Sequence, residues 1–247
     1  EDSLSPNRHP DISSIDDLLD MIHRIRSVTG KPTGIKAVIG QSDWLDEMCA
    51  RIHERGLAYA PDFFTVDSAD GGTGAAPQSL IDYMGLPVRT SLPLVVDKLV
   101  EYGLRERVRV ICSGKMVNPG GVAAALCLGA DCVNSARGFM FALGCVQALQ
   151  CNKNTCPTGI TTHDPDLQKG LNPVDKAPRV ASYARNLMHE VEIIAHSCGV
   201  AEPRLLNRSH AQIINEDGLP EPLSIHYPPV ETRPEFQAQR LRASSST

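Results

Sequence analysis

The 247-residue chain is 42% apolar with a formal net charge of −5, which is enough for one large buried core and excludes the basic excess that nucleic-acid binding requires. No apolar run approaches the roughly 20 residues that cross a bilayer, and no charged segment leads into a hydrophobic one at the start. Eight cysteines would suit a small disulfide scaffold, but a chain with this much core needs no staples, so a reducing, cytoplasmic setting is expected. Cys49, Cys112, Cys127, Cys132 and Cys198 sit in apolar, strand-like or helical contexts and read as small buried hydrophobes.

Helix signals open at Asp11. Ser13 or Ser14 can cap a helix in which Ile15, Leu18, Leu19, Ile22 and Ile25 recur at helical spacing, and Gly30 and Pro32 stop it. The short apolar run Gly34 to Ile39, with Lys36 its one charge, precedes a helix from about Ser42 to Arg55 that ends at Gly56. Phe63 to Val66 reads as a strand before a glycine-rich loop and a helix around Leu92 to Tyr102. Val108 to Ile111 precedes a helix containing Val122 to Leu128, and Cys132 to Asn134 leads into a helix beginning near Gly138. Asp164-Pro165, Gly170 and Pro173 mark a loop, and Val180 to His196 reads as a long amphipathic helix packed outside the main body.

Four strand-helix units with near-continuous apolar strands specify a parallel sheet covered by helices, either doubly wound or a barrel. Polar and glycine-rich segments follow all four strands, at Gly40-Gln41, Asp70 to Gly74, Ser113-Gly114-Lys115 and Ser135 to Gly138. A doubly wound fold concentrates such glycines in its first turn, whereas a (β/α)8 barrel carries its site at the C-terminal ends of several strands. The pattern therefore favours an α/β chain of the (β/α)8, or TIM, barrel type, with four units making half of one. Residues 1–170 form that half barrel with a cysteine loop, 171–216 a helical extension, and 217–247 an irregular tail.

The strongest chemical signal is Cys145-x5-Cys151-x4-Cys156-Pro157. Three soft thiolate donors in a compact loop suit iron, and a proline after the last ligand turns the chain away. Three ligands fit a three-iron cluster; a fourth cysteine from elsewhere would make a [4Fe-4S] centre, zinc prefers paired spacings, and an inert cysteine set stays open. The loop Asp67-Ser68-Ala69-Asp70-Gly71-Gly72-Thr73-Gly74 follows a strand directly, and its glycines let backbone approach a ligand closely. Ser113-Gly114-Lys115 after one strand and Ala136-Arg137-Gly138 opening the next helix are paired phosphate-sized elements. Lys36 is a charge in an apolar strand, costly inside a barrel unless it meets a ligand or a carboxylate, and otherwise free to snorkel to solvent.

These residues, in this order, resemble the FMN-binding (β/α)8 domain of the glutamate synthase family. The resemblance runs from Pro10 to about Gly199 and is closest at Ala69 to Pro77 and from Ala142 through Ile160. It implies the C-terminal half of that barrel, about strands 5–8, with FMN, a [3Fe-4S] cluster and reductive amination of 2-oxoglutarate to L-glutamate. Carried over, Cys145, Cys151 and Cys156 are the cluster ligands. Asp70, Gly71, Gly72, Ser113, Gly114, Lys115, Ala136 and Arg137 hold FMN, and Lys36 is the strand lysine beside flavin and substrate. The implied partners are a 2-oxoglutarate- or glutamate-like substrate and an electron donor, an NAD(P)H-linked subunit or a ferredoxin. A separate N-terminal half, or another copy of the chain, would complete the barrel.

The chain departs from the family in two places. Ile39-Gly40 stands where Ser-Glu is common, and Ser113-Gly114-Lys115 where Asp-Gly-Gly is usual. Two other classes compete: another FMN barrel oxidoreductase of the 2-hydroxy acid oxidase kind, which lacks the cysteine run, and a non-catalytic iron-sulfur electron-transfer or assembly module with open sheet edges.

Overall fold

Strands and helices alternate from Ile15 to Leu143 in the computed structural model of the protein, which describes residues 9–69 and 83–237. Helix α1 (Ile15–Thr29) starts at Ser14, whose hydroxyl accepts from the Asp17 amide while the Asp17 carboxylate accepts from the Ser14 amide; Gly30, with φ 64°, ends it. Strand β1 (Ile35–Ala37) uses only the centre of its apolar run. Then come α2 (Asp43–Arg55), β2 (Phe63–Asp67), α3 (Val88–Glu101), β3 (Arg109–Ser113), α4 (Pro119–Cys127), β4 (Cys132–Asn134) and α5 (Ala136–Leu143).

The four strands are all parallel and lie in the order β1-β2-β3-β4. A doubly wound sheet reverses its strand order at a switch point; this one never does, which is the arrangement of consecutive strands in a (β/α)8 barrel. Register separates two unlike faces. Ile35, Phe64 and Val110 lie side by side, as do Ala37, Val66, Cys112 and Val133, so one face is wholly apolar. Phe64, Val66, Val110 and Cys112 on it are fully buried beneath Leu45, Met48 and Ile52 of α2 and Leu92, Val95 and Leu99 of α3. The opposite face carries Lys36 beside Thr65, then Asp67, Ser113 and Asn134 in one row. In a closed barrel that second face would line the interior.

The two ends of the strands differ as well. At the N-terminal end Asp62 accepts from the Thr33 amide at 2.7 Å and pairs with Arg26 at 2.8 Å and Arg107 at 2.9 Å. Asp131 accepts from the Val110 amide at 2.7 Å and pairs with Arg105 at 2.9 Å. Burial pushes both carboxyls up, but these amides and guanidiniums outweigh it and hold both below the usual carboxylate range. This rim is built for stability, and the ligand-sized loops leave from the other one.

After α5 the chain forms α6 (Pro165–Gln168) and α7 (Pro173–Ser197). The expected start near Val180 is two turns late. Pro173 is the first helical residue, where its missing N–H costs nothing, and Asn172 caps the Val174 amide. Helix α7 packs on α4 and α5. Beyond it a small antiparallel pair, β5 (Gln212–Ile214) and β6 (Pro220–Pro222), leads to α8 (Leu223–His226). The segment read as an irregular tail is pinned to α3 and α2 as far as it is described: Thr232 donates to the Val100 carbonyl, Arg233 donates to the Glu101 carboxylate at 2.8 Å, and Phe236 stacks on Tyr102 and His53.

Candidate functional site

The C-terminal ends of the strands gather most of the singled-out residues that are described. Lys36 Nζ lies 2.9 Å from Asp67 Oδ2, one strand over and two residues further along the same face. Lys36 is 65% exposed and Asp67 19%. The odd strand charge therefore meets a carboxylate, and the pair stands open on the face that a closed barrel would enclose. Asp67 had been singled out only as part of a glycine-rich run. Its pairing follows from strand register, which local sequence does not encode.

Behind Asp67 the backbone is tied across the sheet, with the Ser68 amide donating to the Ser113 carbonyl at 3.0 Å. The Ser68 hydroxyl is buried and has no hydrogen-bond partner among the described residues. It faces Gly114, where an added Cβ would fall 2.2 Å from Ser68 Oγ. The next residue, Lys115, holds a left-handed φ of 49°. Ser68 thus fills the space a side chain at 114 would take, and the turn needs glycine there. A cleft of about 360 Å³ opens alongside, lined by Arg89, Gly114, Lys115, Met116 and Asn118.

Two helices start at this rim and differ in their caps. Asn118 closes the first turn of α4, accepting from the Gly121 amide at 2.8 Å. Ser135, at the start of α5, makes no side-chain bond to its own helix. Its hydroxyl turns back instead to the Met116 carbonyl, so Ser135 does not cap the first turn of α5, which holds Ala136, Arg137 and Gly138.

Cys145, Cys151 and Cys156 lie in one partly exposed loop, none in a disulfide. No group of three metal-ligating side chains is drawn together among the described residues. The chemistry of the three donors suits a soft metal nonetheless. Slight burial pushes the Cys156 thiol up, but hydrogen bonds from the Thr158 hydroxyl at 3.4 Å and from the Thr161 and Thr158 amides reverse this and bring its pKa down to about 6. Asn154 accepts from Thr162 and the His163 amide, framing the loop. Gln147, Leu149 and Asn154 hold φ of 55°, 53° and 59°; with Lys115 they are the non-glycine residues in the left-handed region among those described, so backbone strain is confined to the two kinds of loop read as ligand-bearing. Lys176 Nζ and Arg179 Nη1 lie 3.7 and 3.9 Å from where a Gly144 Cβ would stand, bringing positive charge to the loop's start.

Asp70, Gly71 and Gly72, with the rest of the glycine run, lie outside the described residues. Cys132, read as a buried hydrophobe, is exposed: it aligns with Ile111 on the open face, on a strand that pairs only with β3 among the described residues. Tyr183 escaped the sequence reading altogether. It reaches this rim from α7, in a sequence stretch whose only signal was helical periodicity.

Residues 1–201 match the family described as a conserved region in glutamate synthase. The glutamate synthase large subunit-like protein YerD of Bacillus subtilis (strain 168) is 42% identical over 214 residues, 87% of this chain and 40% of that protein. An archaeal-type glutamate synthase [NADPH] of Thermotoga sp. (strain RQ2) is 33% identical over 222 residues, 89% of this chain and 42% of that one. The chain thus spans about two fifths of the length of the curated relatives it matches. Among solved structures, a mutant flavocytochrome b2 with benzoylformate superposes with a TM-score of 0.50 at 19% identity, covering 76% of this chain and 36% of that one, a likeness of fold.

Proposed function

This chain belongs to the glutamate synthase family, and from that premise we propose that it is the C-terminal half of an FMN barrel that reductively aminates 2-oxoglutarate to L-glutamate in the cytoplasm. The observation that carries the reading is the polar rim of the sheet: Lys36 and Asp67 paired on the open face, and at the same strand ends the Gly114-Lys115 turn and the start of α5.

FMN bound here would supply hydride transfer to the imine of 2-oxoglutarate and ammonia, and a [3Fe-4S] cluster on Cys145, Cys151 and Cys156 would supply one-electron relay from an NAD(P)H-linked subunit or a ferredoxin. The chain's own residues do the placing. Gly114 and Lys115, with the α5 start and Arg137, hold the phosphate through backbone N–H groups and positive charge. Asp70, Gly71, Gly72 and Ser113 are the further residues assigned to FMN on the family resemblance. Lys36 steadies negative charge on the isoalloxazine or on the substrate carboxylate, and Asp67 fixes where its ammonium stands. Closure of the barrel by an N-terminal half or by another copy of the chain would exclude water from this face.

The test is an anaerobic preparation assayed for iron, sulfide and flavin, alongside Cys151→Ala. Iron and sulfide present in the parent and lost in the variant, with FMN retained in both, support the reading; neither cofactor taken up after reconstitution overturns it. A second reading, a non-catalytic iron-sulfur module, is favoured by the two sheet edges at β1 and β4, which pair with no strand among the described residues. Iron-sulfur absorption without flavin uptake would support that alternative.

A further inference from the structure

We propose that Tyr183 is a positioning residue for the flavin phosphate, holding the two phosphate-bearing loops in register from helix α7; this rests on the FMN reading above. The Tyr183 hydroxyl donates to the Val117 carbonyl at 3.0 Å and lies 3.1 Å from Ser135 Oγ. Ser135 in turn donates to the Met116 carbonyl. One phenol and one serine thus join residues 116 and 117, just after Gly114-Lys115, to the residue that opens α5.

Three consequences follow from the chemistry of this knot. Ser135 is the residue whose side chain would ordinarily cap α5, and it makes no cap. Its hydroxyl is engaged by Met116 and Tyr183, so Ser135 does not compete with an anion for the N–H groups that open the helix. Two hydroxyl protons serve three oxygen contacts, so the Oγ–Oη contact gains a proton only when one hydroxyl leaves its carbonyl, which couples the two loops. Finally, the α5 start rests directly on the phenol: a Cβ on Gly138 would fall 1.9 Å from Tyr183 Oη, and Phe139 meets the ring edge-on at 5.1 Å. The ring sets the height of the helix and the hydroxyl sets its tie to the neighbouring loop.

The role is phosphate-specific, and that makes it separable from general stability. Tyr183→Phe keeps the ring packing and removes the hydroxyl; Ser135→Ala removes the other half of the knot. Titration of parent and variants with FMN and with riboflavin, followed by flavin fluorescence, reads it. The expected result is an FMN Kd raised about 10-fold in either variant, from the loss of a hydrogen bond of ordinary strength, with riboflavin binding unchanged within about twofold. Equal weakening toward both flavins assigns Tyr183 a merely structural role, and unchanged FMN binding removes the role altogether; each overturns the proposal while leaving the FMN reading intact. A parent chain that binds neither flavin overturns the FMN reading, and Tyr183's role falls with it.

Discussion

Lys36 Nζ and Asp67 Oδ2 stand 2.9 Å apart across neighbouring parallel strands, on the sheet face turned away from the helices. Such a pair, with Lys36 65% exposed, contributes little to stability: exposed ion pairs are worth about 0–1 kcal/mol. Under the proposed function the pair serves the flavin or the substrate and not the stability of the sheet. Lys36→Ala and Asp67→Asn should therefore each lower the melting temperature only slightly, while Lys36→Ala lowers turnover of the assembled enzyme by roughly 100-fold, the usual scale for losing one electrostatic stabiliser. Thermal melts and steady-state rates measured on the same preparations separate the two effects.

The Cys156 thiol gives a second expectation. With its pKa brought down to about 6, the metal-free chain should react with iodoacetamide at Cys156 along a pH profile centred near 6. Thr158→Val removes the hydroxyl at 3.4 Å and should move that midpoint upward, toward the ordinary thiol value. Peptide mapping of the alkylated residue across pH reads both; a midpoint that the variant leaves unmoved would show that Thr158 does not stabilise the thiolate.

Acid stability should depend on the opposite rim. Asp62 and Asp131 are held below the usual carboxylate range, so each is deprotonated more readily folded than unfolded. Their stabilisation is fully present above the unfolded carboxylate pKa of about 3.9 and is lost as the pH falls through the lower folded values. Asp131→Ala leaves the Val110 amide and Arg105 without this partner and should cost about 1–3 kcal/mol at pH 7, with a shallower fall in stability below pH 4 than the parent shows. Denaturant titrations at pH 7, 4 and 3 measure it.

The helix-covered face answers to packing alone. Phe64 is fully buried and stacks on Trp44 with ring centroids 5.9 Å apart. Phe64→Ala should cost about 3–5 kcal/mol, without the selective loss of turnover expected of Lys36→Ala. Equilibrium unfolding checks the size, and a loss under about 1 kcal/mol would mean the sheet packs otherwise.

What could be read in advance was whatever local sequence encodes. The apolar strands, their polar ends and the cysteine spacing all lie within a few residues; alternation with helices pointed to a parallel sheet, and the polar ends of all four strands to barrel order. What could not be read depends on register or long-range packing. Asp67 meets Lys36 only because Lys36 aligns with Thr65. Cys132 is exposed on a strand that pairs only with β3 among the described residues, a fact of topology rather than composition. Tyr183 lies 48 positions from Ser135 in sequence, and no spacing rule connects them. Pro173, read as loop punctuation, begins a helix because Asn172 caps the turn.

The proposed reducing site acts on the imine of 2-oxoglutarate, and rapid mixing of the reduced, flavin-loaded enzyme containing this chain tests it. Fast flavin reoxidation is expected only when 2-oxoglutarate and ammonia are both present, with L-glutamate formed in step and the response lost in Lys36→Ala. Oxidised flavin reduced instead by 2-hydroxy acids, with no response of the reduced form to 2-oxoglutarate and ammonia, would contradict it and place the chain among the other FMN barrel oxidoreductases.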